Sequence, residues 1–505
     1  MMKSLLYKNE KHVESILEEA LFTDLKISKL LEFFFDNYSE VTEIIETMKE
    51  VPSKLDLRYR QEIFTDVLND SENKLESLYY DLVKLVGRYN SYKQAVENIK
   101  KRVFFVFYEH YFYLFLEEAR DVITEINAKS TGLNDIKKDI IDFLGKADTK
   151  KRRDTIDKIY NNIASRLHFN LEYHEGAPYY QITFNEIENL EDNLHSIAES
   201  LNISFIKTPK AAAKHEINPY FLREISLNDP KVFNELTEKF EVYRNSMIDL
   251  SDYTKELKYY LSLKEVFNKV NKLNVPISKG EIIDTNDTVM NDCYDISLLV
   301  SGINVIPNDY FANDKEYIHF VLGVNSGGKT CYLRSVAINY VFFMTCGWGF
   351  FKSARIYPVK YINTHFPNEE NYAIGEGRLR DEIKRMDKIK KTFSAESVSF
   401  LNETFSSTSE DKACHLTYEL LDAIGTTKAK VMFVTHQYKI FEELQDDSRI
   451  VFLTPVVIEG SENIRTHKIK RVEKKLLSYV NDILFKHGLT KKQLLEKRKG
   501  GEVNE

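Results

Sequence analysis

A glycine-rich segment, Gly323–Thr330, carries the residue types that bind phosphate. It reads Gly-Val-Asn-Ser-Gly-Gly-Lys-Thr, which fits the spacing G-x-x-x-x-G-K-S/T, and it follows the apolar run Ile318–Leu322. A loop that leaves a strand in this way directs successive backbone N–H groups at one point, and the helix that follows adds the positive end of its dipole. The Lys329 ammonium can reach the β- and γ-phosphates of a nucleotide, and the Thr330 hydroxyl is placed to bind Mg²⁺. The predicted phosphate-binding residues are Gly323, Asn325, Ser326, Gly327, Gly328, Lys329, Thr330 and Cys331.

A second β-rich run, Ser397–Glu403, ends in polar side chains. Glu403 is the candidate general base, because hydrolysis needs a carboxylate that orients and deprotonates a water beside the γ-phosphate. Asn402 precedes it and is a candidate metal ligand together with Thr330. Since an amide keeps a ligand oxygen but lacks the charge of an aspartate, we expect weaker Mg²⁺ binding.

A third run, Lys430–Thr435, is followed by His436. A histidine after a single strand is more often structural, but here it follows a phosphate loop and an acid-bearing strand. We expect it to sense or stabilise the γ-phosphate. The predicted catalytic residues are therefore Glu403, His436 and Lys329.

The segment Tyr332–Phe351 opens with apolar residues at helical spacing, as the helix after a phosphate loop should. A membrane span is the alternative, but Arg334 and Asn339 interrupt the apolar run, which is shorter than the roughly 18 residues that a span needs. The pattern favours a buried helix packed under a sheet.

These separated pieces resemble the ATPase domain of the MutS family, the dimeric DNA mismatch-repair ATPases and their relatives within the ABC class. Val305–Asp309 is similar to the Pro-Asn-Asp segment upstream of the family's phosphate loop, and Gly323–Thr330 is similar to the loop itself. Asn402–Ser409 resembles the acid strand with its following Gly-Thr-Ser loop, and Thr435–His436 resembles the Thr-His switch. The resemblance covers residues 280 to 480.

The resemblance implies that the chain binds ATP and Mg²⁺ as a homodimer, since sites of this class lie between two ATPase domains. In the family, a serine ahead of an acidic helix reaches the γ-phosphate in the other subunit, and Gly377 stands where that serine would fall. We expect Gly377, Arg378 and Ser409 to face the other subunit. Arg378 or Arg380 is the candidate replacement for the missing serine, because a guanidinium suits phosphate oxygens. A solvated, charged helix start is the alternative for these arginines. The missing serine and Asn402 together predict slow hydrolysis of ATP to ADP and phosphate.

Length and composition are those of a folded, multidomain protein. The 505 residues are enough for about two to four domains, and the net charge of -8 excludes a surface that is basic throughout. Basic clusters are local, as at Lys150–Arg153 and Lys468–Arg471. The N-terminus has no long apolar core, so we expect a cytoplasmic protein that does not associate with membranes.

The resemblance to the MutS family implies the fold class: a mainly helical core, lever and clamp region followed by an α/β P-loop ATPase domain of ABC type. Residues 1–125 are predicted to be a helical core and lever, and 126–219 a clamp-like insertion. Residues 220–279 are predicted to be returning lever helices, and 280–505 an ATPase domain with a C-terminal helical dimerisation segment.

Local patterns support this division. Val13, Ile16, Leu17 and Ala20 recur at helical spacing, and so do Leu75, Leu78, Leu82 and Leu85. Phe169–Tyr173 and Tyr179–Phe184, separated by a glycine-containing turn, predict a hairpin inside the insertion.

A mismatch-reading wedge is not expected. Family members that read mismatches use an aromatic residue from a Phe-x-Glu motif, which Phe107-Tyr-Glu109 matches superficially. This match lies inside an aromatic-rich helical run, so we interpret Phe107 as a core residue. We also expect no appended nuclease domain after Lys475.

The sequence thus favours a homodimeric, ATP-dependent clamp that engages distorted or branched DNA through shape and backbone contacts. Two alternatives stay open at this point. One is a ribosome-associated factor of the same family that acts on stalled ribosomes. The other is an ATP-gated scaffold with little turnover.

Overall fold

The computed structural model describes residues 4–97, 105–165, 167–174, 177–184, 247–323, 327–367, 376–436, 438–458 and 464–472. The chain divides into two compact units: Met1–Asn9 with Asp66–Leu261, and Glu10–Thr65 with Ser262–Glu505. The boundaries predicted at 125, 219 and 279 do not coincide with this division, and the four-segment organisation stays a prediction.

The N-terminal part of the second unit mixes helices with a short strand pair. Its elements are β1 (Val13–Ile16), α1 (Glu19–Asp24), α2 (Ile27–Phe34), α3 (Tyr38–Lys49), β2 (Glu50–Pro52) and α4 (Lys54–Asn69), whose last turn enters the first unit. The helix predicted from Val13 and Ile16 is wrong, because β1 pairs antiparallel with β2. Both residues are β-branched, and their pairing with Pro52 and Glu50 of β2 outweighs their helical spacing.

The first unit is built from long helices: α5 (Lys74–Glu97), α6 (Phe105–Glu125), α7 (Thr131–Gly145) and α8 (Ala147–Ser165). The leucines predicted to line α5 are buried. Phe107 is fully buried in α6, and Glu109 is buried beside it. The Nε of Arg152 donates to Oε2 of Glu109 at 2.7 Å. The interpretation of this motif as helical core is therefore confirmed.

The hairpin predicted inside the insertion is also confirmed. Strands β3 (Leu167–His174) and β4 (Ala177–Phe184) pair antiparallel, with Phe169 opposite Ile182. Helix α9 (Ser251–Asn271) runs from the first unit into the second. Residues 185–246, where the insertion was predicted to end, lie outside the described residues.

The second unit continues with alternating strands and helices. These are β5 (Ser278–Lys279), β6 (Glu281–Ile282), β7 (Thr288–Cys293), α10 (Ile296–Val300), β8 (Asn308–Ala312), β9 (Ile318–Val321), α11 (Lys329–Cys346), β10 (Trp348–Gly349), β11 (Ser353–Ile356), β12 (Tyr361–His365), α12 (Glu376–Lys390), β13 (Ser397–Asn402), α13 (Glu410–Thr427), β14 (Lys430–Val434), α14 (Tyr438–Leu444), β15 (Ile450–Ile458) and β16 (Ile464–Arg471).

A six-stranded sheet forms the centre of this unit, in the order β12-β13-β14-β9-β15-β16. Its strands are parallel except β16, which pairs antiparallel with β15. A smaller sheet has the order β6-β11-β7-β8, and β10 pairs with β5. Strands β9, β13 and β14 are buried along their whole length, as expected when both faces of a parallel sheet are covered.

Helix α11 is the buried helix that the sequence predicted after the phosphate loop. Its side chains from Tyr332 to Cys346 are all buried. It ends at Gly347, whose φ of 74° closes the helix in the left-handed conformation. Among the helices that the structure describes, none is long and apolar enough to cross a membrane.

Candidate functional site

Three neighbouring parallel strands end at the same edge of the six-stranded sheet. Asn402 at the end of β13 pairs with Val434 of β14, which pairs in turn with Val321 of β9. The loops that follow these three strands therefore begin side by side at the same edge of the sheet. In open parallel sheets this carboxyl edge is where ligands bind. The polar residues predicted from three separate sequence segments thus meet here.

The glycine-rich loop after β9 depends on glycine at two positions. Gly323 has a φ of 132°, and a Cβ there would lie 2.9 Å from Cδ of Pro455. Gly328 has a φ of 91°. L-residues with side chains rarely adopt either conformation. Of the predicted loop residues, Asn325 and Ser326 lie outside the described residues, whereas Gly327 is buried at the entry to α11.

Lys329, the first residue of α11, turns back over this loop. Its Nζ donates to the backbone oxygen of Gly323 at 2.7 Å, and only 4% of the residue is exposed. Burial lowers the pKa of Lys329 to about 8, while the Glu403 carboxylate acts in the opposite direction. The amine is therefore held at the loop, within electrostatic range of the candidate base.

Thr330, in the first turn of α11, lies next to Asn402, the last residue of β13. The Thr330 hydroxyl donates to Oδ1 of Asn402 at 3.0 Å. Asn402 is 7% exposed. Hydroxyl and amide oxygens are hard ligands that suit Mg²⁺. The structure therefore brings together the two residues that the sequence predicted as a metal pair, with only neutral oxygens.

Glu403 and His436 form the third contact at this edge. Nε2 of His436 lies 2.9 Å from Oε1 of Glu403, and both side chains are partly exposed. Glu403 has a φ of 48°, so the backbone turns sharply where β13 ends. A half-exposed carboxylate with one oriented partner has the arrangement of a general base that keeps access to water.

The other predicted site residues lie at the starts of three helices. Cys331 is half-buried in the first turn of α11, and burial raises the pKa of its thiol. Gly377 and Arg378 lie in the first turn of α12, and the side chain of Arg378 lies outside the described residues. Ser409 is exposed at the start of α13. The predicted contact of these three residues with a second subunit is not tested by a single chain.

Two further residues at the loop were not predicted individually. A Cβ at Gly328 would lie 3.3 Å from Nδ1 of His467 on β16. Nδ2 of Asn308 donates to the His467 oxygen at 3.1 Å, and the Ile469 amide donates to Oδ1 of Asn308 at 2.8 Å. Asn308 belongs to the Pro-Asn-Asp segment noted in the sequence. Nothing in the sequence around Asn308 indicated that its side chain would bind the backbone of β16, the strand that carries His467.

The fold and the site define a class: an α/β domain whose parallel strand ends bear a phosphate-loop sequence, an acid and a histidine. Residues 319–481 match the family model described as MutS domain V. This match contains β13, β14 and the whole glycine-rich loop Gly323–Thr330.

Several curated proteins named DNA mismatch repair protein MutS also match the chain. The chain is 22% identical to the DNA mismatch repair protein MutS of Leptospira interrogans, over 52% of this chain and 33% of that protein. It is 23% identical to MutS of Fusobacterium nucleatum, over 53% of this chain and 32% of that protein. It is 25% identical to MutS of Finegoldia magna, over 41% of this chain and 27% of that protein.

The predicted resemblance to the MutS family is thereby confirmed over the part of the chain that these matches cover. The chain spans about a third of the length of the MutS proteins of Leptospira interrogans and Fusobacterium nucleatum.

Proposed function

We propose that this protein is an ATPase that binds ATP with Mg²⁺ at the carboxyl edge of the six-stranded sheet and hydrolyses it slowly. The observation that carries the proposal is the convergence of three contacts at this edge: Lys329 with Gly323, Thr330 with Asn402, and His436 with Glu403. The glycine conformations fit the same function, because a loop without Cβ atoms lets backbone N–H groups approach phosphate oxygens.

Each contact has a role in this proposal. Lys329 and the N-terminus of α11 hold the β- and γ-phosphates. Thr330 and Asn402 hold Mg²⁺, which neutralises charge that develops on the phosphate oxygens. Glu403 orients the attacking water and accepts its proton, while His436 holds the carboxylate in position. Since Asn402 is neutral, we expect a slower reaction than an aspartate would give.

His467 is a further candidate for the nucleotide site. It lies beside Gly328 on the opposite side of the loop from β14, and Asn308 fixes its backbone. We propose that it contacts the nucleotide beyond the phosphates.

We further propose that the chain acts as a homodimer on distorted or branched DNA. The support is the family: the curated relatives are named DNA mismatch repair proteins. The proposed dimer contacts are Gly377, Arg378 and Ser409. The burial of Phe107 inside α6 supports DNA binding without an aromatic mismatch wedge at this motif.

The ATPase proposal is tested by comparing phosphate release by the wild type and by Glu403→Gln. Both proteins are expected to bind ATP, and only the wild type should turn it over. The DNA proposal is tested by measuring binding to a four-way DNA junction and to a linear duplex of equal length over a range of salt concentrations. Tighter, salt-dependent binding to the junction supports the proposal. Equal affinity for both DNAs contradicts it.

A further inference from the structure

A buried histidine, His365, contacts Thr404, the residue that follows the candidate base Glu403. His365 ends β12, and only 2% of it is exposed. Its Nδ1 lies 3.1 Å from Oγ1 of Thr404, which is 8% exposed. The contact joins two segments that are 39 residues apart in the chain. Neither residue belongs to the proposed phosphate, metal or base positions of the nucleotide site.

The turn that contains Thr404 has an unusual backbone. Glu403 has a φ of 48° and Phe405 a φ of 62°, so left-handed residues with side chains flank Thr404 on both sides. Such residues persist where surrounding contacts hold them. The Glu403 amide donates to the Val434 oxygen at 2.8 Å. This backbone bond fixes the start of the turn, and the contact of Thr404 with His365 fixes its middle.

A second side-chain contact fixes the end of the same turn. The Ser407 hydroxyl donates to Oε2 of Glu382 on α12 at 3.0 Å. Contacts made by the residues that follow Glu403 therefore hold the backbone of this turn. Of these contacts, the one to His365 is the nearest in sequence to Glu403.

His365 is itself held firmly. It pairs with Leu401 in the register of β12 and β13. Nη2 of Arg385 on α12 donates to the oxygen of Thr364, the preceding residue, at 2.9 Å. Burial, followed by the nearby Arg385 charge, lowers the pKa of His365 to about 3. The imidazole is therefore neutral at ordinary pH, and its bond to Thr404 does not change through the pH range of an assay.

We propose that His365 is a positioning residue for hydrolysis: through Thr404 it fixes the left-handed turn that aims the Glu403 carboxylate at the attacking water. The inference rests on the proposed function, in which Glu403 is the base. It predicts an effect on the rate of the chemical step rather than on nucleotide binding, because the contact touches neither Lys329 nor the glycine-rich loop.

The test uses substitutions that remove the bond while keeping the bulk of the side chain. Thr404→Val and His365→Leu are each expected to lower kcat at least about tenfold, with the KM for ATP changed less than about twofold. Thr404→Ser and His365→Asn restore a polar atom near the lost position and are expected to recover most of kcat. Thr417→Val is the matched control: Thr417 is similarly buried, and its hydroxyl donates to the Ala413 oxygen of its own helix.

The double variant His365→Leu with Thr404→Val provides a second readout. If the two residues act through one bond, its kcat should match that of the single variants rather than the product of their effects. Unchanged kcat in Thr404→Val overturns the inference, and so does a kcat loss in which Thr404→Ser is no better than Thr404→Val. Should His365→Leu fail to fold, the two Thr404 variants alone decide.

Failure of the proposed function has a different signature. If Glu403→Gln turns over ATP at the wild-type rate, the assignment of the base is wrong whatever the Thr404 variants do. If Glu403→Gln is inactive and Thr404→Val is fully active, the base assignment stands and the role of His365 is wrong.

Discussion

Nε2 of His436 lies 2.9 Å from Oε1 of Glu403, at the ends of two adjacent parallel strands. The strand register brings the two residues together, although 33 positions separate them in the chain. Among the residues that the structure describes, this bond engages one carboxylate oxygen of Glu403, and the second can orient a water molecule. This relationship underlies the first prediction.

Glu403→Gln should preserve ATP binding and lower the hydrolysis rate by about 10²–10⁴-fold, the usual contribution of a positioned general base. Glutamine keeps the size of the side chain and an oxygen that can face His436, but it cannot accept the proton. Single-turnover phosphate release measures the rate, and equilibrium binding of a fluorescent ATP analogue measures the affinity. Equal rates in the two proteins would favour the ATP-gated scaffold.

Asn402→Asp should lower the Mg²⁺ concentration needed for half-maximal ATP binding, because it adds a negative charge at the oxygen that now accepts from Thr330. A magnesium titration at fixed ATP compares the two proteins. Thr330→Ser, which keeps the hydroxyl, is the control and should give the wild-type titration. If the aspartate leaves the magnesium requirement unchanged, Asn402 does not face the metal.

The affinity for ATP should fall as pH rises above about 8. Burial lowers the pKa of Lys329 to about 8, so its amine loses its charge through this range. Phosphate binding needs the protonated form, and binding should therefore be strongest below pH 8 and be accompanied by proton uptake above it. Dissociation constants measured between pH 7 and pH 9.5 test this. A flat profile would mean that the Lys329 charge does not contribute to binding.

The same shift in the pKa of Lys329 also affects how the free energy of unfolding depends on pH. Because the folded-state pKa of Lys329 lies below its ordinary value of 10.5, the folded state binds protons less well than the unfolded state. Its contribution to the free energy of unfolding should therefore rise between about pH 8 and pH 10.5. Denaturant titrations of the wild type and Lys329→Met across this range measure the difference. Equal pH dependence in both proteins would contradict the shift.

Gly323→Ala should destabilise the protein by about 1–3 kcal/mol and abolish ATP binding. Its φ of 132° is unfavourable for alanine, and the added Cβ would lie 2.9 Å from Cδ of Pro455. Gly87→Ala is the matched control. Gly87 lies in α5 with nothing within 4 Å of its would-be Cβ, so the substitution should stabilise by about 0.5–1 kcal/mol. Urea unfolding and ATP binding of both variants check the contrast.

Phe107→Ala should cost about 3–5 kcal/mol of stability, because Phe107 is fully buried in α6. A DNA-reading wedge would behave in the opposite way: its loss would weaken mismatch binding and leave stability nearly unchanged. Thermal unfolding, together with binding to matched and mismatched duplexes, separates the two roles. A stable variant that has lost a preference for mismatches would overturn the core interpretation.

The sequence identified features that depend on local patterns. The phosphate-loop spacing placed Lys329 and Thr330, and the three β-rich runs each became a strand with its polar residue at the carboxyl end. The hairpin of β3 and β4 and the core position of Phe107 also followed from local alternation and helical periodicity.

Features that depend on distant contacts were missed. Val13–Ile16 has a helical spacing, but its pairing with Glu50–Pro52 makes it a strand. The approach of His467 to Gly328 and the bond between His365 and Thr404 are set by which strands neighbour each other in the sheets. No periodicity in the sequence records that choice. The contacts of Gly377, Arg378 and Ser409 depend on a second subunit and stay predictions.

Equilibrium binding of magnesium ATP to the wild type and to Lys329→Ala tests the central claim most directly, with thermal unfolding as a check that both proteins are folded. We expect saturable binding by the wild type and none by the folded variant, because Lys329 supplies the positive charge at the glycine-rich loop. Wild-type affinity in Lys329→Ala would contradict the assignment of this sheet edge as the nucleotide site.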